Sequence, residues 1–435
     1  MRVLLITHRY PPFGFGGVER LAEQTATALI ADGHDVTVLT RRESAAPPLP
    51  ALQQTDRRGV KVLMMAGGGR LQGRFPGPGP RLEALFERTL LDVSPDVILI
   101  SHLMGHSPLY VSIAQHWGIP VVLELHDFYT ACERAHLERP SGKLCAGPEG
   151  GQACTEHCFA DDDRSRERWA LRSHLFRLAL EQADQTVSPS NFVADYFQRT
   201  FELPVRPTVI GNGVDLGVLG PPRPDTTSDQ LRLAYVGMVA HHKGPHVIVQ
   251  ALRLARLPSV RLTLFGGLTQ PYFQELRTSA DEVDNLELLA FGAFEPIQLP
   301  MLLADVDAVV IPSLVWETFS IVAREMMSLG IPVVASRIGA LSEAVRDGDN
   351  GLLFTPGSAH ELAAILHTLS EDRSRVPAMR RKIRPDDWIT VRQRTSRLED
   401  VLRSTVSRGP RRLDPYARAE LERLRNGLLP EPTAA

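Results

Sequence analysis

Residues 311–343 read IPSLVWETFSIVAREMMSLGIPVVASRIGALSE. An apolar strand, Asp307 to Ile311, leads into this stretch, and Pro312 and Ser313 close it. A loop carries Glu317, and the spacing predicts a helix from near Thr318 to Gly330. A second strand, Pro332 to Ala335, follows a tight turn. Strand, loop, helix and strand in this order form the repeating piece of a doubly wound α/β sheet. Thr318 and Ser320 are good N-cap types and Gly330 is a good C′ residue. The first helical amides are therefore expected to open beside Glu317, where free N–H groups and the helix dipole favour an anion. Glu317 and Glu325 are separated by seven residues. On a continuous helix both would fall on one face. The bare spacing is usually no more than two solvated glutamates; its position at a strand-to-helix junction is what suggests a ligand site.

Residues 312–336, PSLVWETFSIVAREMMSLGIPVVAS, resemble the signature of the retaining glycosyltransferases of GT-B fold, the "glycosyl transferases group 1" type. That signature places E-x7-E after a Pro-Ser strand end and before small-x-Gly-x-Pro-Val-Val-Ala. The resemblance covers about residues 1–405. It implies an α/β protein of two doubly wound, Rossmann-like domains facing one another across a cleft.

Composition agrees with a globular protein of two or three domains: 435 residues, 43% apolar and 23% charged. A net charge of −3 provides no global basic field, so nucleic acid is not an expected partner. No apolar run reaches the roughly 18 residues that a membrane span needs. The N-terminus reads as a first strand, not a signal peptide. A cytoplasmic location is expected, compatible with peripheral contact at the inner face of a membrane.

Taken in order, the chain predicts an N-terminal acceptor-side domain over residues 1–215, a Pro/Gly-rich linker over 216–230 and a nucleotide-sugar donor domain over 231–384. A helix over 385–407 would cross back to the first domain by family analogy, and 408–435 form a tail. The first strand, Arg2 to Thr7, runs into HRYPPFGFGGVER and a helix. A dinucleotide fold would show G-x-G-x-x-G here. Glu19 stands where the third glycine belongs, so the turn resembles the family's G-G-x-E. Gly16 and Gly17 are read as letting backbone approach the ligand, or as purely structural turn residues. Residues 41–58 and 66–80 are read as loops around a strand at Val60 to Met65. Strands are expected at 96–101, 119–125, 185–188, 208–210, 231–237, 260–265 and 286–291.

His126 ends the strand Ile119 to Leu125, on the edge where open α/β sheets bind ligands. A lone histidine there is often structural; the resemblance implies contact with the transferred sugar or the acceptor. His8, after the first strand, is a second candidate. The four cysteines, Cys132, Cys145, Cys154 and Cys158, fall in a loop-like insertion over 129–163. A structural zinc site, redox or disulfide use, and unconnected thiols all stand as readings. A helix over Arg164 to Ala183 carries Arg164, Arg166, Arg168, Arg172 and Arg177. It is either a solvated charged face or a patch for anionic lipid head groups.

Gly237 to Gly244, GMVAHHKG, resembles the family's G-R-x-x-x-x-K-G, whose Arg and Lys clamp the donor diphosphate. Lys243 matches the Lys; Met238 stands where Arg is usual. His241 or His242 is the expected source of any replacement charge. The resemblance implies catalytic roles for His126, Lys243 and Glu317. It implies donor binding by Gly16, Gly17, Gly237, Lys243, Gly266, Thr318, Phe319, Ser320 and Glu325, with Glu325 on the ribose. Gly267, Phe291 and Gly292 are expected cleft walls, and Phe294 a base neighbour or a core aromatic. No catalytic cofactor is implied; three D-x-D triplets, at 161–163, 305–307 and 347–349, read as surface carboxylates. The implied partners are a nucleotide-diphosphate sugar and a glycan, lipid-linked or small-molecule acceptor. A nucleotide-sugar epimerase and a non-catalytic nucleotide-sugar-binding protein are the competing readings of the same fold. A phosphorylase would need a pyridoxal lysine signature that the chain does not show.

Overall fold

A computed structural model describes residues 1–14, 16–42, 51–66, 79–160, 165–214 and 228–411, with positions 419 and 422. The chain forms two compact units. One combines Met1–Ile210 with Val391–Ala435, and the other is Gly211–Thr390.

Among the described residues the first unit holds eight strands: β1 (Arg2–Thr7), β2 (Asp35–Arg42), β3 (Ala51–Arg57), β4 (Val60–Ala66), β5 (Val97–Ile100), β6 (Val121–Glu124), β7 (Gln185–Ser188) and β8 (Thr208–Val209). Their order is β3-β4-β2-β1-β5-β6-β7-β8. All neighbours are parallel except β3 and β4. The central strands are near-continuous apolar runs, Val3 to Ile6 and Val97 to Ile100 among them, with no exposed side chain. That is the mark of a sheet covered on both faces. Its helices are α1 (Gly17–Ala31), α2 (Pro80–Val93), α3 (Tyr110–His116), α4 (Gln152–His157), α5 (Ser165–Gln182) and α6 (Asn191–Phe201).

In the second unit the strands are β9 (Leu231–Val236), β10 (Val260–Phe265), β11 (Leu286–Gly292), β12 (Ala308–Ile311), β13 (Val333–Ser336) and β14 (Gly351–Phe354). They run β11-β10-β9-β12-β13-β14, all parallel. Between them lie α7 (Pro245–Ala255), α8 (Tyr272–Asp281), α9 (Leu299–Leu302), α10 (Ile321–Ser328) and α11 (Leu341–Ala344). The helices α12 (Ala359–Glu371) and α13 (Arg375–Arg380) follow. The last helix, α14 (Val391–Arg408), belongs to the first unit. Its Leu398 and Leu402 join Ala22, Ala26 and Leu29 of α1 in the core over β1, β2 and β4.

Both units are the doubly wound α/β sheets that the sequence predicts. Each has a point where strand order reverses: between β1 and β5 in the first, between β9 and β12 in the second. Loops at the carboxyl ends of the strands diverge there and leave a crevice, the usual ligand position in open α/β sheets.

Several local expectations need correction. Residues 51–57 are a strand, not a loop, paired antiparallel with β4 through Arg57↔Val60. Arg58 and Gly59 have φ of 51° and 77°, the left-handed pair of a two-residue hairpin turn. The key helix starts at Ile321, three residues after Thr318, so only Glu325 of the two glutamates is helical. The last helix begins at Val391 rather than at residue 385. The proline- and glycine-rich runs over 43–50 and 67–78, linker residues 215–227 and most of the tail lie outside the described residues.

Candidate functional site

The second unit brings Lys243 and Glu317 together. Lys243 lies after β9 and Glu317 after β12, the two strands that flank the reversal point. Lys243 Nζ donates to Glu317 Oε1 at 2.7 Å. Three backbone devices hold this meeting. Gly244 has φ of 72°, and a Cβ there would lie 2.1 Å from the Pro312 carbonyl oxygen, so only glycine lets the lysine turn press onto the end of β12. Leu314 N–H donates to His242 O at 3.0 Å and ties the two loops. Behind Glu317, Ala340 N–H donates to its carbonyl at 2.8 Å. A Cβ on Gly339 would fall 2.3 Å from that same oxygen.

Gly237 and Gly266 line the neighbouring strand ends. A Cβ on Gly266 would sit 1.9 Å from Gly237 O, and Val239 N–H crosses to Gly267 O at 2.8 Å. Tyr235 donates its hydroxyl to Met238 O at 2.6 Å. Burial, and then the charge of Glu317, push the Tyr235 hydroxyl pKa up. Met238 is 59% exposed and brings no charge to the crevice. Beside it, the His241 ring stacks on His246 at 4.7 Å. His246 Nδ1 lies 2.7 Å from Tyr272 Oη. Burial, with His241 adding to it, lowers His246 to about 4.

At the mouth of α10 the residues separate into different jobs. Ser320 occupies the N-cap position, but with φ of 57° and no side-chain cap bond. A side-chain-bearing residue held in this region is strained, as residues at ligand sites often are. Phe319, expected at the donor, is buried with the Arg324 guanidinium 3.7 Å above its ring, so only its backbone is available. Arg324 also donates to Phe319 O, and burial lowers its pKa to about 10. Thr318 is half-buried in the loop, and Glu325 is half-buried one turn into the helix.

A second cluster sits at the reversal point of the first unit. His126, after β6, places Nε2 3.2 Å from Glu124 Oε2. Its Nδ1 is buried and finds no partner among the described residues. Glu124 also takes the Ser101 hydroxyl at 2.6 Å and the guanidinium of Arg394 from α14. Burial alone would raise the Glu124 carboxyl; Arg394, His126 and Ser101 hold it down at about 2. His102, after β5, accepts from Met104 N–H at Nδ1, which leaves its Nε2 proton for Asp127 Oδ2 at 2.9 Å. Asp127 is likewise held at about 2 against burial by His102 and the Tyr129 N–H. The sequence reading named His126 and missed His102, Glu124 and Arg394. His102 follows a strand on the same sheet edge and was findable by the same rule; Arg394 carried no local signal.

His8 and Glu19 pair at 3.2 Å, and the His8 ring packs on His102 at 4.3 Å. A Cβ on Gly16 would fall 2.4 Å from Glu19 Oε2. Gly16 thus makes room for the carboxylate of Glu19. Gly17 is the first residue of α1.

Elsewhere the arginine patch is smaller than expected. Arg172 is buried and bonded to Glu133 at 3.0 Å and to Tyr129 O, so it faces the interior of the insertion. Arg164 lies outside the described residues, as does the triplet at 161–163. Asp307 is no surface carboxylate: it is buried between Arg232 and Arg373. Asp347 and Asp349 pair with Arg337 and Arg346. The four cysteines line one small cavity and are unpaired. Burial pushes the thiols of Cys132, Cys154 and Cys158 up, Cys154 to about 12. Among the described residues no group of three or more His, Cys, Asp or Glu is placed, as it stands, to hold a metal ion. No described helix is long and apolar enough to cross a membrane.

Comparison with known proteins gives a consistent picture. Residues 222–385 match the family model "Glycosyl transferases group 1", and residues 15–218 match "Glycosyltransferase Family 4". The chain is 31% identical over 425 residues to a glycogen synthase of Mycobacterium tuberculosis, covering 92% of this chain and 94% of that protein. It is 33% identical over 381 residues to a D-inositol 3-phosphate glycosyltransferase of Mycolicibacterium smegmatis, covering 83% and 80%. Among solved structures, HepE of Anabaena in complex with UDP and glucose matches with a TM-score of 0.65 at 20% identity, over 93% of this chain and 100% of that one. Sucrose-phosphate synthase of Thermosynechococcus elongatus matches with a TM-score of 0.67 at 18% identity, over 93% and 99%. These structural likenesses show the two-sheet fold.

Proposed function

The chain belongs to the glycosyl transferases group 1 family, and on that premise we propose that it transfers a sugar from a nucleotide-diphosphate sugar to an acceptor hydroxyl with retention of anomeric configuration. The observation that carries the reading is the contact of Lys243 with Glu317 at the reversal point of the second sheet. It joins a cation for a departing diphosphate and a carboxylate for a sugar. The bond from the anomeric carbon to the diphosphate oxygen breaks, and the acceptor oxygen attacks from the same face within the ion pair. The acceptor proton passes to the departing phosphate oxygen.

Lys243 and the first amides of α10 stabilise the negative charge on that leaving group. Glu317 accepts from sugar hydroxyls and favours the positive character of the anomeric carbon. Glu325 holds the ribose hydroxyls. His126, oriented through Nε2 by Glu124, offers Nδ1 to the transferred sugar or the acceptor. Fixed charge and helix amides carry the phosphates in this scheme, and no step is assigned to a metal. The named relatives act in glycogen synthesis and on D-inositol 3-phosphate, in line with a glycan, lipid-linked or small-molecule acceptor. Peripheral contact with anionic lipid is proposed for Arg166, Arg168 and Arg177 of α5. Substituting all three is expected to weaken vesicle binding; unchanged binding would discard that contact.

Met238, exposed and uncharged, favours a second reading, a nucleotide-sugar-binding protein without turnover. A thermal-shift panel of UDP, GDP, ADP and their sugars, on wild type and Glu325→Ala, tests the donor site. A ligand at about 100 times its Kd adds roughly 2.7 kcal/mol. Stabilisation by one nucleotide, lost in the variant, supports the assignment; no shift with any of them removes it. Donor hydrolysis dismisses the binding-protein reading, and the anomeric configuration of the product decides retention.

A further inference from the structure

We propose that Cys132, Cys145, Cys154 and Cys158 bind one structural zinc ion, which staples the segment between β6 and α5 onto the strand end carrying His126 and Asp127. These are all the cysteines of the chain, and they line a single cavity of about 10 Å³. That is room for one water-sized sphere. All four are unpaired thiols. They arrive on three pieces of backbone. Cys132 sits in the turn after β6, where its N–H donates to Phe128 O at 2.7 Å. Cys145 follows the bridge of Glu138 with Leu144. Cys154 lies in α4, and Cys158 is the residue that caps its C-terminal end.

The spacing of Cys154 and Cys158 favours a metal over a local disulfide. Cys158 N–H donates to Cys154 O at 3.1 Å, one helical turn. Residues so spaced have Cβ atoms about 5–6 Å apart, wider than the roughly 3.5–4.5 Å of a disulfide. Two cysteines one turn apart, at the end of α4, suit two corners of a tetrahedral ion with Zn–S bonds of about 2.3 Å. As they stand the thiols are not placed to hold a metal ion, so binding requires their side chains to turn inward. Each ligand enters as a thiolate, so loading releases thiol protons to solvent and involves no redox change. The surplus negative charge has partners at hand, since Arg134, Arg139 and Arg172 all act on the cluster.

The segment is built to need such a staple. Ala135, Leu137 and Glu149 hold φ of 62°, 51° and 48°, a left-handed conformation unfavourable for residues with side chains. At its far end it is already clamped to α5. A Cβ on Gly151 would fall 2.4 Å from the Trp169 carbonyl carbon, and the Phe159 ring stacks on Trp169 at 4.1 Å. The ion supplies the second anchor, at the turn of Asp127 and Tyr129.

The test uses the full chain, purified under reducing conditions with a metal-free affinity tag and no chelator. Inductively coupled plasma mass spectrometry is expected to find one zinc per chain after dialysis. An organomercurial should release it as four thiols are consumed. Cys154→Ser with Cys158→Ser should lower the zinc content at least about tenfold. If that variant does not fold, cobalt exchanged into the wild type reports instead, through the intense visible bands of a tetrahedral thiolate site. A folded, zinc-free chain with four freely alkylated thiols overturns the proposal, as does a mass that shows disulfides. Metal content is read on donor-free protein, so neither result bears on sugar transfer.

Discussion

The two reversal points of this protein share a topology and differ in how they treat charge. In the first unit the polar cluster is sealed: Glu124, His126 and Arg394 are nearly inaccessible, and Glu124 bonds to both of the others. In the second unit the ion pair is open, with a third of the Lys243 side chain in solvent. A sealed ion pair is coupled to folding, because removing one partner strands the other in low dielectric. An open pair contributes little to stability and is free to exchange its partner for a ligand. The first cluster is therefore tied to the architecture, whereas the second can change partners without disturbing it.

The largest expected effect tests the sealed half. Arg394→Ala leaves Glu124 buried without its cation and should cost about 3–5 kcal/mol in a urea melt. Lys243→Ala is the counterpart: kcat/KM should fall by roughly 10²–10³ while stability changes by less than about 1 kcal/mol. Equal destabilisation by the two substitutions would erase the contrast.

Acid titration sharpens it further. The Glu124 carboxyl is depressed from 4.5 to about 2, so its contribution is present above the unfolded value and lost as pH falls through the folded one. Stability should decline between pH 4.5 and 2, and Glu124→Gln should flatten that decline. Lys243→Ala should leave the slope as in wild type. The smallest effect concerns Ser320. Glycine at a left-handed position relieves strain, so Ser320→Gly should gain about 0.5 kcal/mol. If the strain aims the α10 amides at the diphosphate, donor affinity should fall even as the melting temperature rises.

The strands were legible because both sheets are buried on two faces, which writes continuous apolar runs into the chain. β3 was not, since Leu52 is nearly its only apolar residue beyond Ala51; Arg58-Gly59 was the turn signal that could have revealed it. The start of α10 was misplaced because Thr318 and Ser320 are cap types by composition, yet the backbone at Ser320 turns left-handed and its hydroxyl caps nothing. Single site residues could be read from strand ends and from the family signature. Their partnerships could not. Lys243 finds Glu317 74 residues away, and Glu124 finds Arg394 270 residues away; such pairings are products of topology and leave no trace in a local window. Arg172 shows the opposite failure, a helical arginine that looks solvated by spacing but is turned inward by Glu133.

The route of the chain has a consequence for synthesis. Residues Gly211–Thr390 are spliced into the first unit, and the two crossings are bonded to each other, Val214 N–H to Ile389 O at 2.9 Å. As the nascent chain leaves the ribosome, β6 and its glutamate emerge 270 residues before their guanidinium. At about 5–20 residues per second the wait is on the order of 15–50 s. Throughout that interval the first sheet lacks Leu398 and Leu402 from its core and the countercharge from its centre. The unit begun first is thus completed last, and the second unit has time to fold before the one that encloses it in sequence is finished.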